Sequence, residues 1–331
     1  MVTVYATAEG DRLRPRDEGM RAVEIVRGGS GALRAFLTSR QHHHDLVLVS
    51  RPHNMQYLKA AVGADLSALG VPCIYDAEAL YALRESGRRR IAGRPLSESE
   101  SGASIDAELR LTRGCAGVLV VSEIERQFFA DAGAPPAFVV GHAVTAQPTP
   151  NRFECRRAML FVGAFGPDSP NDDAVGYFCR DVLPALRRGG CEAPFVVAGA
   201  RIPEALKASA DVTVAWRSDV DDLTPFYDEA RVFVAPTRFA AGIPLKVVEA
   251  AAHGVPIVCT SLVARQLGWE PRAELLVADT PSEFALAVTS LFADRELWLC
   301  LREAALARIR KDYSATGLRG ALQEALSAAK A

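Results

Sequence analysis

Short apolar runs rich in Val, Ile and Phe alternate with segments of helical period from one end of the chain to the other. That alternation predicts parallel sheets covered by helices. In the first half, strands are expected at 3–7, 45–50, 72–75, 117–121 and 138–141. Helices are expected there at 31–40, 55–69, 104–113 and 123–132. Residues 146–152, Ala-Gln-Pro-Thr-Pro-Asn-Arg, have no periodicity and read as a linker. The rhythm then restarts, with strands near 158–162, 195–198, 212–215, 232–235 and 256–259. Helices follow the same alternation near 172–187, 245–253, 282–293, 295–308 and 315–329. The pattern defines two doubly wound, Rossmann-like α/β domains facing a cleft, in which ligands bind outside the carboxyl ends of the strands.

Composition narrows the class without changing this picture. A length of 331 residues suits two domains of ~100–200 residues each. The chain is 49% hydrophobic and 24% charged, as ordinary globular proteins are. Its net charge of −2 gives no basic field for nucleic acid. No apolar run reaches the ~20 residues that span a bilayer, and the N-terminus lacks a secretory apolar region. The seven cysteines are scattered and form no C-x-x-C pair, so they read as small core residues in a reducing compartment. Cytoplasmic placement follows as the expectation.

The most informative block is residues 236–256, in which a buried strand runs into a small-residue turn and then directly into a helix. Pro244 is expected at the first helical position, where its missing N–H has no partner to lose. Ala240, Ala241 and Gly242 keep the backbone bare, so an anion can reach the N–H groups and the positive end of the helix. Lys246 and Glu249, three apart, share a helical face. A cation followed by a carboxylate one turn on suits a nucleotide diphosphate and its ribose hydroxyls. A plain strand-to-helix connection accounts for the same residues.

The block resembles the donor-binding segment of family-4 retaining glycosyltransferases, in the branch whose motif reads roughly G-x-G-x-x-L-K-x-x-E-A. Residues 238–249, Arg-Phe-Ala-Ala-Gly-Ile-Pro-Leu-Lys-Val-Val-Glu, carry the likeness, and 254–260 resemble the turn and strand that follow. Residues 160–166, Leu-Phe-Val-Gly-Ala-Phe-Gly, with Pro170-Asn-Asp-Asp173, resemble the opening of the second domain. Asp222-Leu and Phe226 to Pro236 resemble the stretch before the motif. The likeness is close over about half the chain and looser before it.

The resemblance implies the GT-B fold, with an acceptor-side domain at 1–145, a linker at 146–157, a nucleotide-sugar domain at 158–310 and a C-terminal helix within 311–331 that packs back on the first domain. It implies transfer of a hexosyl group from a nucleotide-diphosphate sugar with retention of configuration, and no metal or other cofactor. Glu249 would bind the ribose. Arg238 and Lys246 would hold the diphosphate, one as a planar fork and one as a point charge. Gly163, Asn171, Ala241, Gly242, Ile243, Pro244 and Leu245 complete the implied donor side. Two departures weaken the assignment: Ala241 stands where most members have a glutamate, and Asn171 falls near their usual lysine. Catalysis in such enzymes rests on positioning and on stabilising the leaving diphosphate.

On the acceptor side, Arg51, His53 and Asn54 follow one predicted strand, and Asp76 and Glu78 follow the next. His53 and Asp76 join Arg238 and Lys246 as catalytic candidates, His53 because a neutral imidazole both donates and accepts. A loop histidine, or a carboxylate capping the next helix, is the plain alternative for these positions. Ser122 and Glu123 read as a helix cap. His42, His43 and His44 read as a surface loop, since adjacent residues cannot all face one ion.

Relatives of this kind begin with a strand, a glycine loop and a helix, and the first residues here resemble their second strand, which implies an N-terminally shortened first domain. Two functions stand side by side, a glycosyltransferase and a non-catalytic nucleotide-sugar-binding relative. An epimerase of the same build is a third reading. The acceptor is a glycan, a lipid-linked or a small molecule. Arg88, Arg89 and Arg90, read as a loop, offer peripheral contact with an inner membrane face or simple solvation.

Overall fold

The computed structural model describes residues 2–8, 23–209 and 213–330. The chain divides into two units. The first takes residues up to Tyr81, then Gly102–Val139, and everything from Ala321 on; the second takes Ala82–Ser101 and Val140–Gly320.

The first unit holds two parallel sheets. One pairs β1 (Val2–Ala6) with β2 (Val23–Arg27). The other has four strands in sequence order, β3 (Val47–Ser50), β4 (Cys73–Asp76), β5 (Gly117–Val120) and β6 (Ala137–Val139). Ile74, Tyr75, Val118 and Val120 are fully buried, as central parallel strands covered on both faces require. Among the described residues, β1 pairs only with β2 and β3 only with β4. Val2 (59% exposed), Val4 (37%) and Leu48 (46%) stand on these open-edged strands.

The second unit is a single six-stranded parallel sheet of β7 (Ala158–Val162), β8 (Phe195–Gly199), β9 (Val214–Ser218), β10 (Ala230–Ala235), β11 (Ile257–Cys259) and β12 (Leu276–Val277). Its order is 12-11-10-7-8-9. Alternate residues of β7 feed opposite apolar layers: Met159 and Phe161 pack with Phe178 and Phe284, whereas Leu160 and Val162 pack with Phe233 and Val247. The chain winds outward both ways from β7, so the switch point, where such sheets bind ligands, lies at the ends of β7 and β10.

Several boundaries differ from expectation. Strand β2 went unpredicted. The helix expected at 55–69 runs from Pro52 to Val62 and stops at Gly63, whose φ of 102° suits glycine. The helix expected at 104–113 begins earlier, at Glu98, and ends at Leu109. Residues 81–91 form a helix, so Arg88, Arg89 and Arg90 do not lie in a loop. Glu85 pairs with both Arg88 (2.8 Å) and Arg89 (3.0 Å), and they draw its carboxyl down to about 2. The helix expected at 172–187 is Pro170–Tyr177, a π turn at 178–182, and Leu183–Arg188. Pro184, which lacks an N–H, explains the widened turn before it. The strand expected at 212–215 is β9; Val212 lies outside the described residues.

Residues 146–152 contain no helix or strand, yet they are pinned to the second unit. Gln147 N donates to Ala252 O (2.9 Å) and Thr149 N to His253 O (3.1 Å). Fully buried Arg156 secures the segment by donating to Asn151 O (2.8 Å), Tyr227 O (2.8 Å) and Thr149 Oγ1 (2.7 Å).

Candidate functional site

The turn between β10 and the helix Leu245–Ala252 forms as its small residues dictate. Gly242 has φ 76°, a conformation in which a side chain is strained. Pro244 is the residue before the helix, not its first residue, with φ −75° and ψ 81°. Its carbonyl already accepts from Val247 N (2.8 Å), so it does the work of a cap without a side-chain acceptor. The leading N–H groups therefore remain available to an anion. Val247, Val248, Ala250, Ala251 and Ala252 are buried, which leaves Lys246 and Glu249 half-buried on the other face.

Three predicted donor residues meet at the switch point. Asn171, in the first turn of the helix Pro170–Tyr177, donates to Ala164 O (2.6 Å) and accepts from the Lys246 ammonium. Gly163, just past β7, leaves the room Asn171 needs: a Cβ there would sit 2.8 Å from Asn171 Nδ2. The Lys246 nitrogen also lies 4.7 Å from the centre of the Phe161 ring. Burial pushes its pKa down to about 7.

Arg238 is differently placed. Its guanidinium grips Asp173 with two hydrogen bonds, one of 3.0 Å from Nε to Oδ2, and lies 4.8 Å from the Tyr177 ring centre. The hydrogen bond to Asp173 raises its pKa. Arg238 thus reaches the site already paired, contrary to a free diphosphate cation. The turn is braced from outside by the helix Tyr81–Ile91, where a Cβ on Gly87 would lie 2.9 Å from Phe239 Cβ. Arg88 of that helix pairs with Asp168 (3.4 Å), beyond the end of β7.

The Glu249 carboxylate makes no hydrogen bond or ion pair among the described residues. Burial raises its pKa, with His253 pulling the other way. His253 stacks on Tyr227 at 4.3 Å between ring centres, and the buried Tyr227 hydroxyl is itself unpaired.

In the first unit, the predicted acceptor residues also converge. Ser50 and Asp76 are partners at the ends of β3 and β4. Ser50 Oγ donates to Asp76 Oδ2 (2.5 Å) and approaches Glu78 Oε1 (3.1 Å), and Arg51 Nε donates to Glu78 Oε2 (2.8 Å). Arg51 (φ 77°) and Glu78 (φ 52°) both hold a left-handed backbone. Neither carboxylate caps the next helix, whose Tyr81 N donates to Glu108 (2.9 Å). Asn54 is occupied with structure, donating to Ser50 O (2.8 Å) and accepting from Thr7 (2.5 Å). His53 is exposed and contacts the Tyr57 ring edge-on at 6.2 Å, apart from the Ser50 cluster.

Ser122 caps its helix by accepting from Glu125 N (3.2 Å). No metal-holding group of three or more His, Cys, Asp or Glu occurs among the described residues. Sequence reasoning gave no role to Ser50, Asp173, Tyr177 or Phe161. Asp173 had a signal, since it sits in the quoted Pro170-Asn-Asp-Asp stretch; the others had none.

The second unit is therefore a doubly wound domain with a bare-backbone turn, a half-buried lysine and a carboxylate unpaired among the described residues at its switch point. Residues 156–294 match the family described as Glycosyl transferases group 1, so this segment carries that domain. A comparison with curated proteins finds no match. Among solved structures, HepE of Anabaena in complex with UDP and glucose is similar, with a TM-score of 0.70 and 15% identity over 98% of this chain and 91% of that one. TarM matches with a TM-score of 0.68 and 12% identity over 89% of this chain, which spans 57% of TarM. Sucrose-phosphate synthase from Thermosynechococcus elongatus matches with a TM-score of 0.66 and 14% identity, over 89% and 75%. These likenesses establish the fold as GT-B, although among the described residues only the second sheet is doubly wound, the four-stranded sheet of the first unit running in sequence order. No helix among the described residues is long and apolar enough to cross a membrane.

Proposed function

We propose that this protein transfers a hexosyl group from a nucleotide-diphosphate sugar to an acceptor with retention of configuration and without a metal ion. The observation that carries the reading is the meeting of Gly163, Asn171 and Lys246 at the β7–β10 switch point, inside the segment that matches the glycosyltransferase family. HepE was solved with UDP and glucose, and the pneumococcal O-GlcNAc transferase GtfA with UDP and GlcNAc, so a uridine diphosphate sugar is the first donor to test.

In this reading the diphosphate lies over the open N–H groups before Leu245, with Lys246 as its cation and Arg238 lending part of its charge past Asp173. Glu249, whose carboxylate has no partner among the described residues, accepts from the ribose hydroxyls. Lys246 and the helix end stabilise the charge that develops on the leaving diphosphate. On the first unit, Asp76 and Glu78 accept from acceptor hydroxyls, with Arg51 and Ser50 holding Glu78 in place and His53 available for proton exchange. The donor needs no further cofactor, and the acceptor is a glycan, a lipid-linked or a small molecule.

Titration calorimetry with UDP- and GDP-sugars tests the donor site, and folded protein that binds neither would refute it. A second reading, a binding protein without transfer activity, is favoured by the pairing of Arg238 with Asp173 and by Ala241, which offers the sugar no carboxylate. Donor hydrolysis separates the two: a transferase hydrolyses its donor slowly and loses that rate in Glu249→Ala, whereas a binding relative shows equal background in both.

A further inference from the structure

Outside both candidate sites, the first unit holds a cavity of about 370 Å³. It lies where the helices Leu33–Ser39 and Pro52–Val62 end and where β3 begins. Val47, which lines it, opens β3, whereas Ser50 closes that strand opposite Asp76. The cavity is thus at the amino ends of strands whose carboxyl ends carry the acceptor candidates. Its volume is that of a small-molecule pocket, ~300–1,000 Å³.

Leu37, Val47, Leu69 and Val71 give the cavity an aliphatic wall. Arg34, Gln41, His42 and His44 add polar groups, and among the described residues no carboxylate lines it. Arg40 lines it too, but that side chain is committed to the scaffold. Glu24 takes both of its terminal nitrogens, at 2.6 and 3.0 Å, and its guanidinium lies 5.7 Å from the centre of the Phe36 ring. The Arg34 side chain is exposed and forms no ion pair among the described residues. The two helix ends oppose an anion with roughly half a charge each. Their carbonyls are already occupied, Phe36 O by Arg40 N (3.1 Å) and Lys59 O by Gly63 N (2.9 Å), and the Lys59 ammonium donates to Ala64 O (2.8 Å) beyond the second helix. The full, uncompensated charge of Arg34 therefore sets the sign of the opening.

We propose that this cavity binds a phosphate monoester with an apolar body, a ligand separate from the donor and the acceptor. The three terminal oxygens of a phosphate accept from several directions. That suits a guanidinium fork, a carboxamide and imidazoles drawn from one helix and the loop after it. A planar carboxylate has only two oxygens to share among them. The loop is fixed where it meets the cavity. His42 holds a left-handed backbone (φ 63°), His43 N donates to Arg40 O (2.9 Å), and the His44 ring lies 6.4 Å from that of Phe36. The aliphatic wall takes the organic part of the ester out of water.

Diethyl pyrocarbonate acylates histidines, and mass spectrometry reads each site on the full, folded chain. Phenyl phosphate is the probe, and His53, exposed at the other end of the helix Pro52–Val62, is the internal control. Phenyl phosphate is expected to slow the acylation of His42 and His44 but not of His53, and inorganic phosphate to do so only at higher concentration. Arg34→Gln, a change on an exposed side chain, should weaken that protection roughly ten- to a hundredfold through the loss of a charged hydrogen bond. Phosphatidylcholine vesicles carrying phosphatidic acid distinguish the source of the ester. Protection by the vesicles assigns a lipid headgroup, and protection by phenyl phosphate alone assigns a soluble ester. His42 and His44 acylated as fast with both ligands as without them would overturn the proposal, as would equal protection of His53. The readout is local to the loop, so it does not depend on whether the second unit binds a nucleotide sugar.

Discussion

Lys246 gives its ammonium to the side-chain oxygen of Asn171, 75 residues earlier, and has no carboxylate partner among the described residues. Asp173, in the helix that carries Asn171, is taken by Arg238. The net positive charge that the turn offers an anion therefore rests largely on one desolvated lysine.

That arrangement makes donor binding depend on pH. Burial holds Lys246 at about 7, against an ordinary value of 10.5, so between these values the unfolded chain keeps a proton that the folded chain has lost. Fold stability therefore gains from Lys246 as pH rises through this window. Affinity for a diphosphate moves the other way, because only the ammonium attracts it. UDP binding measured by calorimetry is expected to weaken above pH 7 by up to about tenfold per unit. Lys246→Met should flatten the profile, and a wild-type profile already flat from pH 6 to 9 would remove the ammonium from the site.

The Glu249 carboxylate pays a desolvation cost with no hydrogen bond in return among the described residues. Glu249→Gln is accordingly expected to leave the melting temperature unchanged or raised. Losing a charged hydrogen bond to ribose should cost about 1.5–3 kcal/mol of UDP affinity, roughly ten- to a hundredfold. A ribose-deoxygenated UDP should lose a similar factor on the wild type and little on the variant. Equal losses on both proteins would place the ribose elsewhere.

Arg238 invites the opposite expectation. Its fork is filled by Asp173 and its plane lies near Tyr177, so its removal strands a half-buried carboxylate. Arg238→Met should destabilise the fold by about 1–3 kcal/mol in urea unfolding, while weakening UDP less than Lys246→Met does. A larger loss of affinity than of stability would restore Arg238 as the principal diphosphate cation.

Much of this was legible in the sequence, for a stateable reason. Buried parallel strands are continuous apolar runs, so β4, β5, β7 and β10 announce themselves, and small residues with Pro244 mark the turn. Local pattern says nothing of partners far along the chain. Asn171 and Lys246, or Arg238 and Asp173, meet only because β7 and β10 are neighbours in the sheet. The helix Tyr81–Ile91 was hidden because its mostly polar sequence leaves Ala82 as its buried residue, with no apolar stripe to read. Strand β2 was hidden because its residues are at most half-buried and, among the described residues, it pairs with β1 alone.

Gly163 and Gly199 separate site from scaffold. The two strand ends approach so closely that a Cβ on Gly199 would lie 1.8 Å from Gly163 O, and Gly199 holds φ 145°. Gly199→Ala collides with backbone that cannot yield, so it should abolish folding or cost several kcal/mol, on the order of the most damaging substitutions. At Gly163 the obstacle is a side chain, Asn171 Nδ2 at 2.8 Å, with Phe161 close behind at 3.1 Å. Gly163→Ala is expected to displace Asn171 and with it the Lys246 ammonium, at a smaller cost of about 1–2 kcal/mol. Its signature is a fall in UDP affinity together with a Lys246 that titrates higher, because the displaced ammonium meets more solvent. Circular dichroism melts and the pH profile of UDP binding read these separately. A Gly163→Ala protein that melts like the wild type and binds UDP unchanged would show that Asn171 does not hold Lys246 for the ligand.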